Sequence, residues 1–268
     1  MNNPEKNIQA LIAIPTYNED RNISDLLCLM EAWKQDLIVI DDGSDDQTVR
    51  VVKDMGFTCL SKESNEGLSG FFSTAKLYAV NKKYTHLVAL DGDGQHDPGY
   101  IPEFIRALAH NDFVSGTRFG DVSEIPASKI ASNFFAIHLF KKFLNLNFPD
   151  VACGFRAMKL TALPEKIEVS RFGIIYDMLI QHAITGKSTG FVPIPVIYHP
   201  GDPLNTKIPE IDGLLSAISK YNPSPELSGI MDSVKHKTEF RIRLFDLIFE
   251  ARYQEPDAYF FQMQQYTH

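Results

Sequence analysis

The residues with the clearest capacity for chemistry lie in one stretch, Leu87-Val88-Ala89-Leu90-Asp91-Gly92-Asp93-Gly94-Gln95-His96-Asp97-Pro98. Its apolar run stops abruptly at carboxylates and glycines. This is the pattern of a buried parallel strand that delivers polar groups to the carboxyl edge of its sheet, where ligands of open α/β sheets bind. Asp91 and Asp93 are two apart, and a turn brings both toward one point. With the amide of Gln95 they make a hard, all-oxygen set suited to Mg²⁺ or Mn²⁺ bridged to the phosphates of a substrate. Gly92 and Gly94 leave room for a ligand to approach the backbone. Asp and Gly are also ordinary turn formers, so the same residues suit a solvated turn.

The elements that must position this stretch repeat its design. Residues 10–14 read as a buried strand ending at Pro15-Thr16-Tyr17-Asn18-Glu19, and residues 37–40 as a second ending at Asp41-Asp42-Gly43-Ser44-Asp45-Asp46. A third spans 57–60, and a fifth, 113–118, ends in Arg118. Helices are expected over 25–33, behind a cap at Asn22 or Ser24, and over 48–55, with Gly56 at its end. Two more are expected over 71–81 and over 101–109, with Pro102 in the first turn. This alternation predicts an α/β fold, a mostly parallel sheet with right-handed crossovers flanked by helices.

Beyond residue 118 the pattern is less regular. Helices are expected over 129–146, over 172–184 bearing Asp177, and over 212–221. Asp150-Val151-Ala152-Cys153-Gly154-Phe155-Arg156 is a loop or short strand. Pro193 and Pro195 confine the run 191–198 to a sheet edge or an irregular strand. The organisation expected is one domain over 1–221, with halves 1–118 and 119–221, then a helical C-terminal extension over 222–268. The linker is at 222–226. The extension has an amphipathic stretch at 239–252 and an apolar tail, Tyr259-Phe260-Phe261, whose partner is its own domain or another subunit of a homo-oligomer.

Composition limits the function. With 44% hydrophobic and 22% charged residues the chain has the balance of a soluble globular protein. Its net charge of −8 disfavours nucleic acid as a partner. Cys28, Cys59 and Cys153 have neither zinc nor disulfide spacing, which points to a reducing, cytoplasmic setting. No hydrophobic signal region precedes Gln9, and no apolar run reaches the ~18 residues of a membrane span.

Ile14 to Glu19, Val39 to Thr48, Asn65-Glu66-Gly67-Leu68-Ser69-Gly70, Leu90 to Pro98, Gly116-Thr117-Arg118 and Asp150 to Arg156 follow one another in a distinctive order. Order and spacing together resemble the inverting family 2 glycosyltransferases of the GT-A fold, with the nearest likeness to the dolichyl-phosphate mannose synthase branch. The resemblance covers residues 10–212. It implies a Rossmann-like GT-A sheet with an irregular acceptor half. It also implies a UDP- or GDP-linked sugar as donor, and a sugar, small-molecule hydroxyl or lipid phosphate as acceptor.

Pro15, Tyr17, Glu19, Ile40 and Asp42 would line the nucleotide base and ribose, an apolar wall with polar anchors, and Gly67 and Gly92 would join the donor site. Asp91, Asp93 and Gln95 would hold Mg²⁺ or Mn²⁺ on the diphosphate. Arg118 and Lys207 would bind phosphate. Asp177 would be the general base that deprotonates an acceptor hydroxyl, with Asp150 as the alternative; an acceptor that is already an anionic phosphate needs neither.

Each residue also has a plainer reading. Asp41 and Asp42 suit a helix cap, Arg118 a surface ion pair, Lys207 a solvated loop and Asp177 an ordinary helix carboxylate. His96, His138, His182 and His199 lack metal-ligand spacing and read as surface or satisfied core residues, although His96 adjoins the metal set. Gly92 and Gly94 stand where the family usually has Ala and an aliphatic residue, so a looser loop is expected. Two other classes compete with a glycosyltransferase. A sugar-phosphate nucleotidyltransferase would carry an early Gly-rich basic loop where this chain has Pro15 to Glu19. An inactive sugar-nucleotide-binding subunit would not need the intact acidic set. The helix at 129–146 suits a peripheral membrane contact, a core face or a subunit contact.

Overall fold

The computed structural model describes residues 8–120, 125, 127–164, 173–197 and 208–235. Lys207, the stretch 239–252 and the tail at Tyr259 lie outside them. Seven strands are present: β1 (Ala10–Thr16), β2 (Leu37–Asp41), β3 (Thr58–Ser61), β4 (His86–Ala89), β5 (Phe113–Thr117), β6 (Arg156–Lys159) and β7 (Thr189–Pro193). They form one sheet in the order β3-β2-β1-β4-β6-β5-β7. The helices are α1 (Ile23–Leu29), α2 (Thr48–Asp54), α3 (Gly67–Asn81), α4 (Ile101–Leu108), α5 (Ala127–Leu144), α6 (Gly173–Ile184), α7 (Ile208–Tyr221) and α8 (Pro225–Lys235).

The central strands are apolar at nearly every position because both faces are covered. Strand alternation then sends neighbours to opposite layers. Leu11, Ala13, Ile38, Ile40, Leu87 and Ala89 join a core with Phe71, Phe72 and Ala75 of α3, Phe140 of α5, Leu179 of α6 and Leu215 of α7. Ile12, Ile14, Leu37, Val39 and Val88 join the other, with Leu27 of α1, Val52 of α2 and Phe104 of α4. Parallel pairing of β1 with β2 and β4, and of β2 with β3, aligns their carboxyl ends at one edge.

Between β4 and β5 the sheet departs from the expected parallel alternation. β6 runs antiparallel to both neighbours, Val88 facing Ala157 and Ser115 facing Arg156. Four residues that open on Arg and close on Lys carry no strand periodicity, so the sequence suggested only a loop or short strand here. The reversal has a functional consequence: the segment 150–155 that feeds β6 arrives at the same edge where β1, β2, β4 and β5 end. β7 pairs with β5 alone among the described strands, at the sheet edge, where Pro193 is tolerated.

Of the boundaries that differ from expectation, two have identifiable reasons. α3 begins at Gly67, four residues before the expected start, because a carboxylate from another loop caps it. The stretch 222–226, expected as a linker, becomes a short connection into α8, where Pro225 occupies the first helical position. Leu227 and Ile230 of α8 are buried in the same core as α6 and α7. Lys142 pairs with Glu226 at 2.7 Å, and Asn222 donates to the carbonyl of Phe143. Among the described residues no helix is long and apolar enough to cross a membrane.

Candidate active site

The loops after β1 and β2 are zipped together at the carboxyl edge. Asn18, at φ +57°, accepts from the Asp45 N–H at 3.0 Å, and its own N–H donates to Ser44 Oγ at 2.9 Å. The Glu19 N–H donates to Thr48 Oγ1 at 2.8 Å and the Asp20 N–H to Asp46 at 3.2 Å. Tyr17 is left about half exposed on this platform. Asp41, fully buried, braces the turn by accepting from the Ser44 and Ser61 hydroxyls and the Gly43 and Ser44 N–H groups.

Asp42 accepts from the N–H groups of Glu66 and Gly67 at 2.9 and 2.7 Å, and from Lys62 at 3.3 Å. It therefore caps α3 from a distant loop, satisfying donors that begin a helix, while Gly67 takes the left-handed φ of +68°. The reading of Asp42 as a helix cap describes its contacts. Ile40, expected against the base, has its side chain, 1% exposed, in the core layer with Phe71 and Phe72, where strand alternation puts it.

β4 delivers Asp91 and Asp93 beside this platform. Asp93 Oδ1 accepts from the Gln95 N–H at 3.0 Å, and Gly94 at φ +77° completes the turn. The Gln95 carbonyl accepts from the Ile197 N–H at 3.0 Å, tying the loop to the chain after β7. Gly92 is buried rather than open to a ligand. A Cβ there would lie 2.8 Å from the Pro15 carbonyl and the Thr16 methyl, so this glycine serves the close approach of β1, and the loop is packed rather than loose. A Cβ on Gly154 would overlap the Asp91 carboxylate; the segment before β6 thus forms one wall of the acidic pocket. Pro15, Leu68, Phe71, Asp91, Gly154 and Ile175 line a small recess at this point.

The charges here act on one another. Burial raises the Glu19 carboxyl above its ordinary range; a hydrogen bond from Asn22 opposes the rise, and the negative charges of Asp93 and Asp91 add to it. Burial also raises Asp91, against the pull of the Arg118 and Arg156 guanidiniums. Glu19, Asp91 and Asp93 therefore share one electrostatic neighbourhood, in which a cation is favourable. Among the described residues no three His, Cys, Asp or Glu side chains close in as a self-contained metal cage. Two carboxylates and an amide fit a hard cation that keeps waters and takes further ligands from substrate phosphates.

Arg118, at the end of β5, is gripped by Asp150. Nε and Nη2 donate to its two oxygens at 2.7 and 3.0 Å, and the Arg118 N–H adds a third contact at 3.3 Å. Asp150, expected as the alternative base, is fully buried and its contacts here are those of an anchor for Arg118. Asp177 is also engaged: its carboxylate, 2% exposed, accepts from Lys220 at 3.1 Å and from the Tyr221 hydroxyl at 2.8 Å. Its position on α6 turns it toward the C-terminal end of α7, so its surroundings are those of an interhelical clamp, not those expected of a base. The same contact raises the Tyr221 phenol, after burial, above its usual range.

Two residues of this neighbourhood have no role in the sequence reading. Arg156 is fully buried and donates to the carbonyls of Cys153 at 2.7 Å, Val151 at 3.1 Å and Ile175. Burial lowers it to about 10. It holds the 150–155 segment to α6; its place at the end of the 150–156 stretch was the available signal. His96 is 4% exposed, its Nδ1 lacks a hydrogen-bond partner, and burial lowers it to about 4. It is neither a surface nor a satisfied core histidine.

Comparison with known proteins agrees with this architecture. The family described as Glycosyl transferase family 2 matches residues 11–165, more than half of the chain. An uncharacterized protein of Methanocaldococcus jannaschii, MJ0544, is 30% identical over 202 residues, covering 69% of this chain and 87% of that protein. The undecaprenyl-phosphate mannosyltransferase of Micrococcus luteus is 28% identical over 204 residues, covering 71% of this chain and 84% of the relative. Among solved structures, glucosyl-3-phosphoglycerate synthase of Mycobacterium tuberculosis with Mn²⁺ and UDP-glucose superposes with a TM-score of 0.61. The two are 19% identical, and the match covers 83% of this chain and 82% of that one. The sheet is the GT-A, Rossmann-like sheet of such enzymes, and the chain belongs to the family 2 glycosyltransferases.

Proposed function

We propose that this glycosyltransferase takes a sugar from a nucleotide-diphosphate donor, with inversion at the anomeric carbon and with Mg²⁺ or Mn²⁺ bound, and passes it to a phosphate oxygen of a lipid-linked acceptor. The observation that carries the reading is the convergence of Glu19, Asp91 and Asp93 at one sheet edge with Arg118, which the buried Asp150 holds in a fixed direction. Asp91, Asp93 and Gln95 are the residues assigned to the cation, which when bound neutralises charge on the leaving diphosphate. Tyr17, Pro15 and the braced loops of residues 16–22 and 42–48 are assigned to the base and ribose. Asp42 acts there by fixing the start of α3, and Gly67 by taking the backbone turn at that start. Arg118, pre-oriented by a bidentate pair, is assigned to phosphate.

The carboxylates support an anionic acceptor. Asp150 and Asp177 are both committed to cations in the protein. Neither residue expected as the base is then free to deprotonate a hydroxyl, whereas an ionised phosphate attacks without a base. The names of relatives that act on undecaprenyl phosphate and dolichyl phosphate support the same choice. Such an acceptor places the working enzyme at a membrane surface, as a peripheral protein. Nothing observed favours the nucleotidyltransferase reading.

The test is a panel of UDP- and GDP-sugars with polyprenyl-phosphate vesicles, with added Mn²⁺ or with EDTA, scored for nucleoside diphosphate and for glycolipid. Release dependent on cation and polyprenyl phosphate is expected. Asp93→Ala is expected to lower kcat/KM by at least about 10²-fold with unchanged circular dichroism. Pyrophosphate as product, or donor binding without turnover on any acceptor, would refute the proposal.

A further inference from the structure

We infer that His96 is a positioning residue for Asp91, its Nδ1–H closing on the Asp91 carboxylate and holding it in the direction the cation and diphosphate require. The inference rests on the assignment of Asp91 to the cation. The imidazole is buried, and its Nδ1 has no hydrogen-bond partner. The nearest acidic atom is Asp91 Oδ2 at 3.7 Å, just beyond a hydrogen bond. A buried polar nitrogen without a partner is costly, so such a group is expected to find one in the working state.

The ring has little freedom to do otherwise. Nε2 lies 4.0 Å from Cys153 Sγ, and the ring packs 5.7 Å from Phe155, which itself stacks on Phe104 at 4.0 Å. A Cβ on Gly154 would overlap the same carboxylate oxygen, so the backbone there also bounds it. Asp91 Oδ2 therefore has a bare backbone and an imidazole nitrogen as neighbours. Electrostatics selects the tautomer: a lone pair on Nδ1 would face a carboxylate, whereas Nδ1–H faces it favourably and leaves Nε2 toward the thiol. Groups that orient metal-ligating side chains in this way commonly change metal affinity by about 10–100-fold when removed.

The test uses the full chain and two readouts. Calorimetric titration of Mn²⁺ in the presence of UDP is compared for wild type, His96→Asn, His96→Gln and His96→Phe, each checked for folding by circular dichroism. The Asn amide reaches the Nδ1 position and the Gln amide the Nε2 position. Wild type and His96→Asn are expected to bind within about three-fold of each other, and His96→Gln and His96→Phe about 10–100-fold more weakly. Equal binding by all four, or an Asn variant as weak as the Phe variant, overturns the inference. Independently of any variant's folding, the imidazole ¹⁵N spectrum of wild type is expected to show His96 protonated at Nδ1; a bare Nδ1 with Nε2–H overturns it. If wild type binds no Mn²⁺ with UDP, the assignment of Asp91 to the cation fails instead, a result distinct from equal binding across the series.

Discussion

Asp150 and Asp177 are both buried carboxylates in ion pairs, yet their surroundings assign them different work. Asp150 faces the carboxyl edge and grips Arg118 with both oxygens. Asp177 joins α6 to the end of α7. Asp150→Asn removes the charge partner of a guanidinium that is itself mostly buried, at a cost of about 3 kcal/mol or more. Because Arg118 would lose its direction, activity is expected to fall at least about ten-fold with it. Asp177→Asn keeps an acceptor for Tyr221, and the freed Lys220 side chain, 39% exposed, is solvated. Its cost is expected to be only about 1 kcal/mol, with kcat/KM on a polyprenyl-phosphate acceptor nearly unchanged. Urea unfolding and steady-state kinetics on the two variants separate the roles; a large kinetic loss in Asp177→Asn alone would restore it as a base.

At the scale of elements, the antiparallel β6 is what completes the site. It brings Asp150 to Arg118 and Gly154 to Asp91, while Arg156 at its first position anchors the incoming segment by three carbonyls. Gly154→Ala is expected to push the Asp91 carboxylate aside and weaken Mn²⁺ binding with UDP about ten-fold or more, while the unfolding midpoint changes little because the displaced group is a side-chain end. The opposite edge of the same strands is clamped by Asp112. It accepts from Lys159 of β6 at 2.7 Å and from the Ser188 hydroxyl before β7 at 2.9 Å. The hydrogen bond from Lys159, then those from Ser188, hold its carboxyl down to about 2. A folded-state pKa below the ordinary carboxylate value stabilises the fold above that value and ceases to do so as pH falls toward the folded one. The stability difference between wild type and Asp112→Asn, measured by urea unfolding, is therefore expected to be constant above about pH 5 and to close between about pH 4 and pH 2.

At the scale of the molecule, the core layer that holds α3, α5, α6 and α7 extends through α8 rather than ending with α7. Leu227 is fully buried and Ile230 nearly so, both in the layer that includes α5, α6 and α7. Ending the chain after Tyr221 exposes the surface they cover. At about 1.5–3 kcal/mol for each such side chain, the loss is expected to be about 3–6 kcal/mol as an upper estimate. A chain ending after Lys235 retains both residues and is expected to unfold at a clearly higher midpoint than one ending after Tyr221. Equal midpoints for the two would place the independent folding unit at 1–221, as the sequence pattern proposed.

By itself the sequence determined the α/β class and the strand ends that form the carboxyl edge. These are legible because strand periodicity, turn residues and motif spacing are local properties of the chain. Only the tertiary structure decided which charged groups are available. Asp42, Asp150 and Asp177 look alike in sequence, and each is claimed by a partner 24 or more residues away: the start of α3, Arg118 and the end of α7. The direction of β6, the use of Gly92 to seat β1 and the unpartnered nitrogen of His96 were hidden for the same reason. Each arises from contacts between segments whose mutual placement is settled by packing across the sheet, and no local pattern records it.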